Sequence, residues 1–67
     1  MRIAKLEELQ PGDELFTRVQ KEGIPKNTWG VVESIDEDGV WVDVYIPMDS
    51  DLPEDTICYQ PDELYFQ

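Results

Sequence analysis

Asp43, Asp49, Asp51, Glu54 and Asp55 fall within residues 40–55, a stretch that contains no Lys, Arg or His. Carboxylates in such a cluster can do three kinds of chemistry: hold a metal, work as an acid–base pair, or attract a cationic partner. Metal binding is the first to test. Asp36 and Asp38, and Asp49 and Asp51, offer oxygen ligands two residues apart, as calcium loops do. A helix–loop–helix calcium site also needs Gly at its sixth position and Glu at its twelfth, and counting from Asp36 or from Asp49 meets neither. Zinc is excluded more simply, since the chain has one Cys and no His.

Catalysis fares no better. Without His there is no imidazole base, Ser34 and Ser50 have no partner, and Cys58 has no activating base or cation nearby in sequence. A carboxylate pair could hydrolyse a glycosidic bond, but a small fold filled by its own side chains leaves little room for a sugar cleft. The residues therefore predict no enzyme, no metal and no cofactor.

The distribution of charge favours the third chemistry. Residues 1–26 hold all five bases (Arg2, Lys5, Arg18, Lys21 and Lys26) and five acids, whereas residues 27–67 hold eleven acids and no base. The net charge of −11 thus belongs wholly to the second part of the chain. Such a field repels nucleic acid and attracts basic surfaces. Its plainer reading is a solvated acidic face that keeps the protein in solution.

The elements that must carry these acids are β-like. In 14–21, ELFTRVQK, Leu15, Thr17 and Val19 alternate with Phe16 and Arg18, which predicts a strand. Pro11-Gly12-Asp13 before it predicts a tight turn, and 22–28, with Gly23 and Pro25, a loop. WGVVESID, 29–36, is a second strand whose parity is open: Val31 and Ile35 can share a face directly, Val32 and Ile35 only across a bulge, and Gly30 marks a bend or close backbone approach. Asp36–Gly39, DEDG, predicts a hairpin turn with Gly39 at positive φ. VWVDVYIP then keeps strict period two: Val40, Val42, Val44 and Ile46 on one face, Trp41, Asp43 and Tyr45 on the other. The acidic loop 48–55 follows, then the short β run TICYQ, a single turn at PDEL with Pro61 in its first position, and a fifth strand at Tyr65-Phe66. Cys58 is expected in the core, because free Cys usually behaves as a small hydrophobe.

This is one domain, 1–67, with an N-terminal extension at 1–9. At this size folding buries roughly 60% of the surface the unfolded chain exposes. A lone Cys forbids an internal disulfide, so core packing must suffice. No apolar run approaches the roughly 20 residues of a membrane span, and MRIAKLEELQPGDE has no apolar signal region. A cytoplasmic protein with no membrane association is expected.

PGDELFTRV (11–19), GVVESIDEDGVWVDV (30–44) and PDELYF (61–66) resemble the SH3-like small β-barrel over residues 10–66. The resemblance implies an all-β, five-stranded antiparallel barrel with one 3₁₀ turn before the last strand. PGD before a strand, followed by Gly30-x-Val32-x-x-Ile35, is similar to the KOW-type version found in transcription and translation proteins. The acidic loop looks like those of small accessory subunits, such as the variable chain of ferredoxin–thioredoxin reductase. Two departures limit what carries over. Nucleic-acid-binding KOW domains need basic loops, and no base follows Lys26. The early aromatic strand and the Trp pair of peptide-binding SH3 domains are missing. LYFQ, 64–67, also resembles what a tag-removing protease leaves after cutting, without the Glu-Asn that usually precedes it.

Two aromatic features complete the reading. Trp41 and Tyr45 flank Asp43 on the polar face of their strand, placed either to pack beneath a loop or to anchor a partner. Trp29, at the start of the second strand, is open to core or ligand use. The functional expectation is a noncatalytic interaction module or accessory subunit. It would dock a basic protein surface through Trp41, Asp43, Tyr45, Asp49, Asp51, Glu54 and Asp55. The competing expectation is an acidic nucleic-acid mimic that occupies the binding channel of a DNA- or RNA-binding protein. Direct binding of nucleic acid is not expected in either case.

Overall fold

The computed structural model describes residues 1–66, in which six antiparallel strands form one sheet. The strands are β1 (Arg2–Ile3), β2 (Glu14–Thr17), β3 (Trp29–Asp36), β4 (Gly39–Val44), β5 (Asp55–Tyr59) and β6 (Leu64–Phe66). Their spatial order is β1-β6-β2-β3-β4-β5. The only helical elements among the described residues are two 3₁₀ turns, Leu6–Glu8 and Pro61–Glu63. The all-β expectation holds. The closed five-stranded barrel does not: there are six strands, and the sheet ends in two edges, β1 and β5, that do not pair with each other. The added strand is Arg2–Ile3, whose partners are Phe66 and Tyr65. Ala4 and Leu9 follow it into the core.

The core is the inward row of each strand. Val40, Val42 and Val44 are fully buried, as their period-two spacing predicts, together with Leu15, Val32, Ile57, Tyr59 and Leu64. On β3 the register shifts between Val32 and Ser34. Glu33 is the bulged residue, which lets Val32, opposite Val42, and Ile35, opposite Val40, both face inward. Gly30 is a close approach: a Cβ there would lie 2.6 Å from Val42 Cγ1 and 3.0 Å from the Asp43 carbonyl. Gly39 has φ 143° and sits as near the Tyr59 carbonyl, 2.7 Å from a would-be Cβ.

Cys58 corrects the expected parity of β5. The pairs Val42–Ile57 and Val40–Tyr59 put Ile57 and Tyr59 inside, while Cys58 lies opposite outward-facing Trp41 and is only half-buried. Burial, then the charge of Asp36, push its thiol pKa up, and its sulfur lies 3.5 Å from the Asp38 carbonyl.

β2 stops at Thr17, short of the expected Lys21. Beyond it the Arg18 N–H turns to the Glu63 carbonyl, and the Lys21–Ile24 turn forms a hairpin of its own with Glu22 and Gly23 both at positive φ. β4 ends at Val44, short of the expected Pro47, and the Ile46–Pro47 peptide bond beyond it is cis. Leu64 of the LYFQ run is fully buried and β6 lies between β1 and β2; Gln67 lies outside the described residues. No helix among the described residues is long and apolar enough to cross a membrane.

Candidate functional site

The residues singled out for docking lie along β4 and the loop after it, and the structure divides them. Trp41 and Asp43 stay on the outer face of the sheet, half-buried. The Trp41 indole N–H donates to Asp36 Oδ2 at 3.0 Å, and the Thr56 hydroxyl donates to Asp43 Oδ1 at 2.6 Å. The bulge brings Glu33 alongside, its carboxylate 3.5 Å from the same hydroxyl. Hydrogen bonding with Asp43, and then the charge of Asp43, raise the Glu33 pKa from its ordinary value.

Tyr45 instead belongs with Trp29. Their ring centroids are 5.1 Å apart at a 49° tilt, a favoured aromatic geometry. The Tyr45 N–H donates to the Trp29 carbonyl at 3.0 Å. Together they line a cleft of about 300 Å³ between two loops. One wall is the β2–β3 loop, which gives Pro25, Lys26, Asn27 and Thr28; the other is the start of the β4–β5 loop, Ile46, Pro47 and Met48. Phe16 completes the lining.

Both walls are fixed by hydrogen bonds. Buried Thr17 clasps the first: its hydroxyl donates to the Pro25 carbonyl at 3.0 Å and accepts the Thr28 N–H at 2.9 Å. Asn27, at φ 65°, turns the loop back so that its N–H reaches the Thr17 carbonyl. The second wall is held by Tyr45 at one end and at the other by the Glu54 N–H, which donates to the Val44 carbonyl at 2.7 Å. A turn closed by Ser50 N–H on the Pro47 carbonyl shapes it between.

Asp49, Asp51 and Glu54 lie exposed on this loop, and Asp55, expected in it and equally exposed, is instead the first residue of β5, opposite Val44. The ion pairs among the described residues are Arg2–Glu8 and Lys21–Glu63, neither of which involves the loop. Each of the two draws on the basic first part of the chain. Burial pushes the Glu63 carboxyl up, but the Gln60 N–H and the Lys21 ammonium hold it lower on balance. No group of three or more candidate metal ligands occurs among the described residues.

The cleft is what the sequence reading missed. Trp29 was open to either use, Phe16 had only a strand parity and Met48 only a place in the acidic loop, while Ile46, grouped with Val40, Val42 and Val44 on one face, is exposed where they are buried. A signal existed: Ile46, Met48 and Leu52 are apolar residues in a stretch otherwise given to acids and turns, and all three are exposed, at 41%, 57% and 75%. Compared with known proteins, the chain matches no family model, no curated protein and no solved structure.

Proposed function

We propose that the chain is a noncatalytic interaction module with an SH3-like arrangement, which docks a basic protein surface through its acidic β4–β5 loop and the outer face of β4. The strand order β6-β2-β3-β4-β5 and the 3₁₀ turn before the last strand support the architectural part. The observation that carries the functional part is the absence of any ion pair on Asp49, Asp51, Glu54 and Asp55 among the described residues, in a chain whose five bases all precede Asn27. Clustered like charge destabilises a compact monomer. A cationic partner relieves that repulsion and is steered by it. Trp41 and Tyr45, half-buried beside the acids, supply contact area of the kind that slows dissociation.

The test is capture from the native cell extract with elution by a salt gradient, followed by kinetics on the purified partner. Neutralising the loop (Asp49→Asn, Asp51→Asn, Glu54→Gln, Asp55→Asn) should slow association and flatten its salt dependence. Equal association rates at low ionic strength would reduce the loop to a solvated surface. Displacement of the chain by nucleic acid would favour the mimic reading instead.

A further inference from the structure

We propose that the cleft between the β2–β3 and β4–β5 loops is an anchor site for an extended segment of a partner protein, in which an apolar side chain is followed within a few residues by Lys or Arg. The proposal rests on the docking reading above and adds the place and the sequence chemistry of the docked segment.

The cleft is built before anything binds. Its aromatic residues, Trp29 and Tyr45, are packed on each other, and hydrogen bonds from strand residues hold both walls. A site already in its bound shape loses little free energy to ordering on association. Its volume of about 300 Å³ suits one or two side chains rather than a large cofactor. Ile46 and Met48 stand exposed at its edge, and Met adapts its shape to different occupants.

Charge complementarity then specifies the occupant. The wall that bears Ile46 and Met48 runs directly on into Asp49 and Asp51, with Glu54 and Asp55 at its far end. The single cation among the lining residues is Lys26, on the opposite wall. A wholly basic segment would set its charge against Lys26 and leave the aromatic floor uncovered. A wholly apolar segment would bring the carboxylates near a surface that does not pair with them, at a desolvation cost. A segment with an apolar anchor in the cleft and bases over the β4–β5 loop satisfies both halves.

The experiment is selection of a phage-displayed random dodecapeptide library on the intact chain, followed by synthesis of the enriched peptides and titration against three proteins. These are the parent, the double variant Ile46→Ser/Met48→Ser, and the fourfold neutral variant described above. Ile46 and Met48 are exposed, so the double variant keeps its core. The expected result is enrichment of peptides that place an aliphatic or aromatic residue near Lys or Arg. The double variant should weaken them roughly tenfold or more, as truncating an interface anchor does. The fourfold variant should also weaken them at low ionic strength, with the difference shrinking as salt is raised. Loss of binding with the fourfold variant alone would overturn the cleft proposal and leave the docking reading standing. Loss with the double variant alone would overturn both, since the occupant would then not be basic. No enrichment, or enrichment of peptides without Lys and Arg, would overturn the cleft proposal, while the docking reading would still be decided by association kinetics on the purified partner.

Discussion

Replacing Tyr59 with Phe should stabilise this protein, and the gain should grow in alkali. Tyr59 is fully buried on β5, opposite Val40, and its hydroxyl has no hydrogen-bond partner. A buried polar group left unpaired costs about 1–3 kcal/mol. Removing one oxygen leaves the ring packing unchanged, so Tyr59→Phe should gain about 1 kcal/mol at pH 7. In a domain of this size that is roughly 4–8 °C in Tm. The second part concerns the proton. Burial first, then the charges of Glu63, Glu22 and Asp55, push the phenol pKa up to about 12, against about 10 in the unfolded chain. Below pH 10 both states hold the proton and the group adds no pH dependence. Above it the unfolded state releases the proton while the folded state keeps it, so stability falls as pH rises towards 12. The loss is about 1 kcal/mol at pH 11 and about 2 kcal/mol at pH 12.

Urea unfolding followed by Trp emission, at pH 7, 9, 10.5 and 11.5, measures both parts. Other groups titrate in parent and variant alike, so the difference between the two isolates Tyr59. That difference should start near 1 kcal/mol and widen only above pH 10. A variant less stable than the parent at pH 7 would mean that the hydroxyl has a partner. A difference that stays flat to pH 11.5 would mean that the phenol titrates normally, and the burial argument would be refuted.

Three further outcomes follow from single contacts. Gly30→Ala should destabilise by about 1–3 kcal/mol, because its Cβ would fall 2.6 Å from Val42 Cγ1; chemical denaturation reads it. Thr17→Val should cost about 1–3 kcal/mol, since it orphans the buried Thr28 N–H and leaves the Pro25 carbonyl to the Thr28 hydroxyl alone; faster amide exchange at Asn27 and Thr28 would locate the damage in the β2–β3 loop. Glu33→Gln should raise Tm at pH 7, where Glu33 and Asp43 repel, and lose that advantage as pH falls. The sign follows from a carboxyl whose pKa is raised on folding: its contribution is intact below the unfolded pKa and lost as pH rises through the folded one.

Local patterns were legible in the sequence wherever the information is local. Val40, Val42 and Val44 announce an inward row because period two needs only neighbouring residues. The hairpin at 36–39 and the 3₁₀ turn at Pro61–Glu63 follow from Gly and Pro chemistry at known offsets. The parity of β3 was only half readable: Val31 with Ile35 needed no bulge, and the pairing against β4 is what selects Val32 with Ile35 across one. What failed was pairing at long range. TICYQ is apolar on both parities, and only its register against β4 shows that Ile57 and Tyr59, not Cys58, face the valines. Arg2–Ile3 is too short to show any period, and it becomes a strand because β6 offers it an edge.

The same reasoning explains why the acids of the site were legible and its aromatic half was not. Charge acts through space and needs no register, so the split at Lys26 can be read from composition alone. An aromatic pair needs two residues from different strands to meet. Trp29 and Tyr45 are sixteen positions apart by their numbers, and they meet because the Asp36–Gly39 turn and the Glu33 bulge together set Gly30 opposite Val44, which leaves Trp29 and Tyr45 as the next pair outward. A one-residue shift in that register would move every pair along β4 and separate the rings, with all the acids still in place. A chain altered in this way would keep its charge field and lose its cleft. The proposed steering by charge and the proposed anchoring by the cleft are therefore separable: the first depends on composition after Lys26, and the second on the register that one turn and one bulge set.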